Sequence, residues 1–155
     1  MVFFPIFGKQ LAMGQINFFW VAVRGFLPNR TELKSFIRNI FKREGRKMEG
    51  LLYIFCNDRY LLDINRRYLN HEDFTDIISF DLSSDPTIIH GEIYISVERV
   101  RENATKLGVS FKEELHRVVF HGALHLCGYK DKLKSDQVIM REMEDRYLGL
   151  YFKSE

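Results

Sequence analysis

The sequence predicts an α+β domain in which a single four-stranded mixed sheet is packed with about five helices. Three observations predict it. Four apolar runs of strand length are spread along the chain, at residues 16–23, 51–56, 75–82 and 91–96. They are rich in the β-branched and aromatic side chains that suit a pleated surface. Apolar residues three and four apart recur between and after these runs, the mark of helices that bury one face. The last two runs are joined by a polar loop holding Pro86, with no helical pattern. That pair is therefore expected antiparallel, while the other strands need crossover connections.

Each element has its own warrant. Residues 16–23 (INFFWVAV) form the first strand, and Pro28 and Asn29 mark the turn after it. Leu33, Phe36, Ile37, Ile40 and Phe41 then follow helical spacing, and Gly45 stops the helix. The second strand is 51–56 (LLYIFC), and Asp58 is placed to cap a helix carrying Leu61, Leu62, Asn65 and Tyr68. Residues 75–82 (TDIISFDL) and 91–96 (GEIYIS) are the third and fourth strands. Ser96 is placed to cap a helix bearing Val97, Val100, Ala104 and Leu107, which Gly108 ends. Ser110 with Glu113 is a capping box opening a helix that runs to about Cys127, with Gly128 after it. Ser135 is placed to cap a last amphipathic helix carrying Val138, Ile139, Met143 and Tyr147.

Composition bounds the class. The chain has 155 residues, 46% of them hydrophobic and 28% charged, which fits one soluble globular domain and excludes intrinsic disorder. No apolar run approaches the roughly 20 residues that span a bilayer, so no membrane partner is expected. Two cysteines exclude a disulfide scaffold. Val2–Phe7 is apolar but is broken by Pro5 and followed by Gly8 and Lys9, with no basic residue ahead of it. No export signal is expected there. Residues 1–14 are read as a flexible N-terminal extension (with Met13 an alternative start) and 15–155 as the domain. The expected location is the cytoplasm, where Cys56 and Cys127 stay thiols.

Net charge is +2, but it is unevenly spread. Residues 24–47 carry eight basic side chains against two acidic ones, while residues 48–100 carry four against ten. Lys34, Arg38, Lys42 and Arg46 recur every four residues, so on one helix they form a stripe. Such a stripe can track nucleic-acid phosphates or be a solvated face opposite the core.

The chemistry concentrates in His121-Gly-Ala-Leu-His125-Leu-Cys-Gly128-Tyr-Lys-Asp131. His121 and His125 leave one face of a helix one turn apart, which suits two ligands of one tetrahedral ion. Gly128 can adopt a left-handed conformation and return Asp131 toward the rings as a third ligand. Two imidazoles and one carboxylate, with a position left for water, describe a catalytic site better than a closed structural one. They suit zinc or nickel alike. His116 is about 140° away around the helix and is read as a surface or satisfied residue; His71 and His90 lie in connections from which either could reach a site, and both are read as structural. Cys127 is read as a buried thiol. Zinc peptidases carry a Glu base after the first His, and Gly122 stands there instead, free to let a backbone or substrate approach closely.

In these residues the chain resembles the YbeY family of bacterial metal-dependent endoribonucleases, whose signature is H-G-x-L-H-L-x-G-Y-D-H. His121, Gly122, Leu124, His125, Leu126, Gly128 and Tyr129 match it. Asn65, Tyr68, Thr75, Asp76, Ser79 and Phe80 match a second stretch, L-N-x-x-Y-R…P-T-D-V-L-S-F, and Gly91-Glu92-Ile93 resembles a G-D-I strand. The likeness runs from about Ile16 to Tyr147. It implies a single-strand-specific endoribonuclease with one zinc ion per chain. The expected partners are ribosomal RNA and the ribosome, in maturation of the 16S 3′ end and in ribosome quality control. The basic stripe would contact RNA, and the acidic middle segment a ribosomal protein.

Two departures bear on mechanism. Asp131 stands where the signature has a third His, which adds negative charge and makes a bound water less acidic. Leu69 stands where the family has an Arg implicated in catalysis, and Arg66 and Arg67 are the nearby candidates to replace it. The missing Arg keeps open a ribosome-associated RNA-binding protein whose metal site is mainly structural. Gly122 argues against a metal-dependent hydrolase of peptides or esters.

Overall fold

A computed structural model describes residues 14–153. Four strands are present: β1 (Gln15–Trp20), β2 (Lys47–Cys56), β3 (Ile77–Asp81) and β4 (Ile88–Ser96). The helices are α1 (Arg30–Arg43), α2 (Asp58–Ile64), α3 (Val97–Leu107), α4 (Phe111–Leu126) and α5 (Lys134–Lys153). A single π-helical turn, Asn65–Leu69, prolongs α2. The sheet order is β1-β2-β4-β3, with β1/β2 and β2/β4 parallel and β3/β4 antiparallel. The expected α+β class, mixed sheet and five helices are all present.

β2 is apolar on both faces because both are covered. Leu51, Tyr53 and Phe55 join Ile93, Ile95 and the apolar sides of α1, α3, α4 and α5 in one core. Leu52, Ile54 and Cys56 face the other way, with Ile78, Phe80 and Tyr94, against Leu61 and Ile64 of α2. The alternation follows directly from the two-residue period of a strand. α4 lies against β3, β4, α1, α3 and α5. The Tyr53 hydroxyl donates to the Val119 carbonyl at 2.9 Å, tying the middle of α4 to the sheet.

Element ends differ from the sequence reading for local reasons. β1 stops at Trp20 rather than residue 23, because Ala22 takes a positive φ of 60° and turns the chain away. α2 is capped by Asn57, whose Oδ1 accepts from Tyr60 N at 2.8 Å. Asp58 instead receives Ser96 Oγ at 2.7 Å and Arg99 at 2.8 Å. β3 begins at 77 and β4 at 88. Ser135 lies within the first turn of α5 rather than ahead of it. Ser96 and Ser110 cap α3 and α4 as expected. α1 ends at Arg43 and Gly45 reverses the chain with φ 68°, so Arg46 leaves the stripe. Its guanidinium donates to the Cys127 carbonyl at 2.7 Å. Apart from Gly14, the expected N-terminal extension lies outside the described residues.

Candidate metal centre

α4 is held by the core through Val118, Val119, Ala123 and Leu124, so its exposed edge presents His121 and His125 in fixed register. The rings lie 4.5 Å apart, centroid to centroid, nearly perpendicular. α4 ends at Leu126, and Gly128 follows with φ 99°. That left-handed residue turns the chain back. Asp131 Oδ2 then lies 3.0 Å from His125 Nε2 and 3.3 Å from His121 Nε2. The three expected ligand residues are therefore brought together, all half-buried.

The donor set fits a zinc-sized ion. Bonds of about 2.0–2.2 Å at tetrahedral angles place ligand atoms roughly 3.3–3.6 Å apart; the His121–Asp131 separation of 3.3 Å meets this and the His125–Asp131 separation of 3.0 Å is slightly shorter. The ring orientation fits too. His121 Nδ1 donates to Glu144 Oε2 at 2.6 Å, which leaves Nε2 with its lone pair facing Asp131 and His125. Burial disfavours a charged His121 ring, but the Glu144 hydrogen bond and the charges of Glu144, Asp131 and Asp76 outweigh it and raise its pKa above 6.5.

Glu144 is itself 7% exposed and is held from the other side by Arg117 Nη1 at 3.2 Å. Arg117 also reaches Asp145 at 2.8 Å. This α4–α5 network was not read from the sequence. Its signal was present: Met140, Glu144, Tyr147, Leu148 and Tyr151 form the buried stripe of α5. A carboxylate on such a stripe requires a partner.

A cavity of about 870 Å³ lies against the triad, walled by Asp76, Ile77, Glu114, Arg117 and Arg141. Burial raises the pKa of Asp76 against the lowering charge of His121, and burial likewise raises Glu114 against Arg117. Asn65 Nδ2 donates to the Asp73 carbonyl at 2.8 Å and so fixes the loop that forms one wall. Gly122 is closely approached, but by Ile77 and Ile93 side chains of the sheet rather than by backbone or substrate.

Other candidates sit elsewhere. Arg66 pairs with Glu72 at 2.7 Å and Arg67 with Asp63 at 3.3 Å, both on the surface. Neither lines the cavity, whereas Leu69 does. Lys34 lies over the Phe18 ring and Arg38 reaches the Gly14 carbonyl at 3.5 Å. With the exposed Lys42 they form a basic face on α1, and none of Lys34, Arg38, Lys42 or Arg46 lines the cavity. His71, read as structural, lies in the cavity wall. His116 is satisfied rather than on the surface, stacked on Tyr151 at 4.9 Å. Cys56 and Cys127 are buried free thiols, and burial pushes each pKa up to about 12. Among the described residues no helix is long and apolar enough to cross a membrane.

Comparison with known proteins agrees with the geometry. Residues 27–151 match the family described as endoribonuclease YbeY. An endoribonuclease YbeY of Flavobacterium psychrophilum is 50% identical over 125 residues, covering 81% of this chain and 89% of the relative. One of Christiangramia forsetii is 43% identical over 139 residues, covering 89% and 95%. The solution structure of TM1509 from Thermotoga maritima superposes with a TM-score of 0.63 at 26% identity, covering 90% of this chain and 91% of that one. The family match over residues 27–151 and relatives 43–50% identical over most of the chain show that the chain belongs to the YbeY endoribonuclease family.

Proposed function

We propose that this protein is a zinc-dependent endoribonuclease that cleaves single-stranded RNA. In this reading it acts in the cytoplasm on ribosomal RNA, in maturation of the 16S 3′ end and in ribosome quality control. One observation supports the reading: His121, His125 and Asp131, a group able to hold a metal ion and one donor short of the four zinc takes, stand beside an open cavity. Three ligands plus water is the catalytic arrangement, whereas structural sites are closed.

When bound, zinc supplies a Lewis acid that polarises a phosphoryl oxygen and lowers the pKa of water from 15.7 toward about 7. The chain's own groups position that chemistry. Glu144 holds the His121 tautomer that exposes Nε2. α4 holds His125 at the same face, and the Gly128 turn brings up the Asp131 carboxylate. Gly122 leaves the site without the side-chain base of a zinc peptidase, which favours phosphodiesters over peptides. The basic face of α1 offers an additional contact for RNA phosphates, and the acidic middle segment a surface for a ribosomal protein.

Elemental analysis of purified protein, followed by cleavage of a single-stranded RNA, tests the reading. Metal-loaded protein is expected to cleave, and chelated protein and His121→Ala are not. Cleavage that persists in His121→Ala would refute it, and nickel in place of zinc would correct the metal. Cyclic phosphate ends would identify the 2′-hydroxyl as nucleophile, and linear phosphate ends water.

A further inference from the structure

The cavity beside the triad is acid-rich: Asp73, Asp76, Asp81, Glu114 and Glu144 line it together with Asp131. A polyanion entering such a site needs cationic contacts that the protein's own carboxylates do not already consume. Among the described residues two guanidiniums line the cavity, and they are not equivalent. Arg117 is 17% exposed and reaches Glu144 at 3.2 Å, Asp145 at 2.8 Å and Glu114 at 3.8 Å. Those contacts leave it little to offer a ligand. Arg141 is 55% exposed, and its ion pair is a long one, Nη1 to Glu144 Oε1 at 3.7 Å. A separation of that length is an electrostatic contact, outside hydrogen-bond distance.

The position of Arg141 follows from a short chain of contacts. One oxygen of Glu144 faces Arg141 and the other accepts from His121 at 2.6 Å. The Arg141 guanidinium is therefore separated from the His121 ring by a single carboxylate. α5 fixes this spacing, because Met140 and Glu144 on either side of Arg141 are buried.

Resting on the endoribonuclease reading above, we infer that Arg141 is a substrate-contact residue that grips a phosphate of the RNA at or next to the bond cleaved at the triad. A guanidinium presents paired N–H groups that match two phosphate oxygens, and it stays charged at every working pH. Placed where negative charge grows in the transition state, it lowers the barrier as well as binding the chain. Lys132 also lines the cavity, but as a solvated point charge it does not provide the forked contact.

The test compares wild type, Arg141→Ala, Arg141→Lys and Lys132→Ala, each metal-loaded, on a labelled single-stranded RNA at several salt concentrations. Arg141→Ala is expected to lose roughly ten- to a hundredfold in kcat/KM, as for a hydrogen bond to a charged group. The slope of log(kcat/KM) against log salt should become shallower by about 0.7, the value for one phosphate contact on a single strand. Arg141→Lys should recover the slope but only part of the rate. Metal content and thermal stability should match wild type in all four, since Arg141 is solvent-facing and touches no ligand atom. Wild-type rates and slope in Arg141→Ala, or the whole effect appearing in Lys132→Ala instead, would overturn the assignment while leaving the endoribonuclease reading standing. A wild-type protein that takes up metal and cleaves no RNA would remove the reading itself, and this inference with it.

Discussion

The Glu144–His121 contact makes a sharp prediction about metal affinity. Glu144→Gln keeps the volume of the side chain but removes its charge and one acceptor. The carboxylate now serves two donors at once, His121 Nδ1 at 2.6 Å and Arg117 Nη1 at 3.2 Å, from a site only 7% exposed. An amide has one acceptor, so it can satisfy one of the two. If its oxygen faces Arg117, its NH₂ faces Nδ1 and favours the tautomer with the proton on Nε2. That is the nitrogen the metal needs free. Losses of about 10- to 100-fold in affinity are typical for such partners, equivalent to roughly 1.4–2.7 kcal/mol. Arg117 keeps Asp145 at 2.8 Å, so folding should be affected less than metal binding. Competition with a chelator of known affinity gives the Kd, and Glu142→Gln, an exposed neighbour, is the control. Nitrogen chemical shifts of His121 in metal-free protein at alkaline pH should show Nδ1–H in wild type and a shift toward Nε2–H in the variant. An affinity within twofold of wild type, with Nδ1 still protonated, would refute the argument.

Three further outcomes follow from other parts of the molecule. A Cβ at Gly91 would lie 2.7 Å from the Phe80 carbonyl oxygen, which backbone pairing prevents from moving, whereas one at Gly149 in α5 meets nothing within 4 Å. Gly91→Ala should lose roughly 1–3 kcal/mol and Gly149→Ala gain about 0.5–1 kcal/mol, read as Tm shifts of opposite sign; a stabilised Gly91→Ala would contradict the packing. The pKa of His121 is raised above 6.5 in the folded, metal-free protein, so the folded state binds that proton more tightly than the unfolded chain. The stability it contributes is complete below pH 6.5 and is lost as pH rises through the higher folded value. Metal binding requires the neutral ring, so stabilisation by added zinc should instead grow with pH; parallel Tm–pH slopes with and without zinc would refute this, and His121→Ala should abolish the difference. Charge reversal at Arg38 and Lys42 together should weaken RNA binding and flatten its salt slope by up to about 1.4 if both contact phosphates, while an unchanged slope would make α1 a solvated face.

What could be read from the sequence, and what could not, divides by range. His121, His125 and Asp131 converge through one helix turn and one left-handed glycine, interactions spanning ten residues that local rules describe completely. The same holds for Ser96 and Ser110, whose capping bonds reach three residues. Arg46 fits the four-residue repeat of the stripe, but Gly45 ends the periodicity and a contact 81 residues away claims the guanidinium. Arg66 and Arg67 lie three and two residues before Leu69 on the same π-helical turn, and that closeness along the chain brings neither into the cavity. Acidic neighbours hold both outside the cavity that Leu69 faces. Arg141 and Glu144 show the converse. They lie 20 and 23 residues beyond His121, in a helix with no motif of its own, and packing of α5 against α4 carries both to the site. A buried glutamate on an apolar stripe marks that a partner exists without saying which one. A half-exposed arginine three residues before it carries no mark at all, because its significance depends on which neighbouring cations are already neutralised.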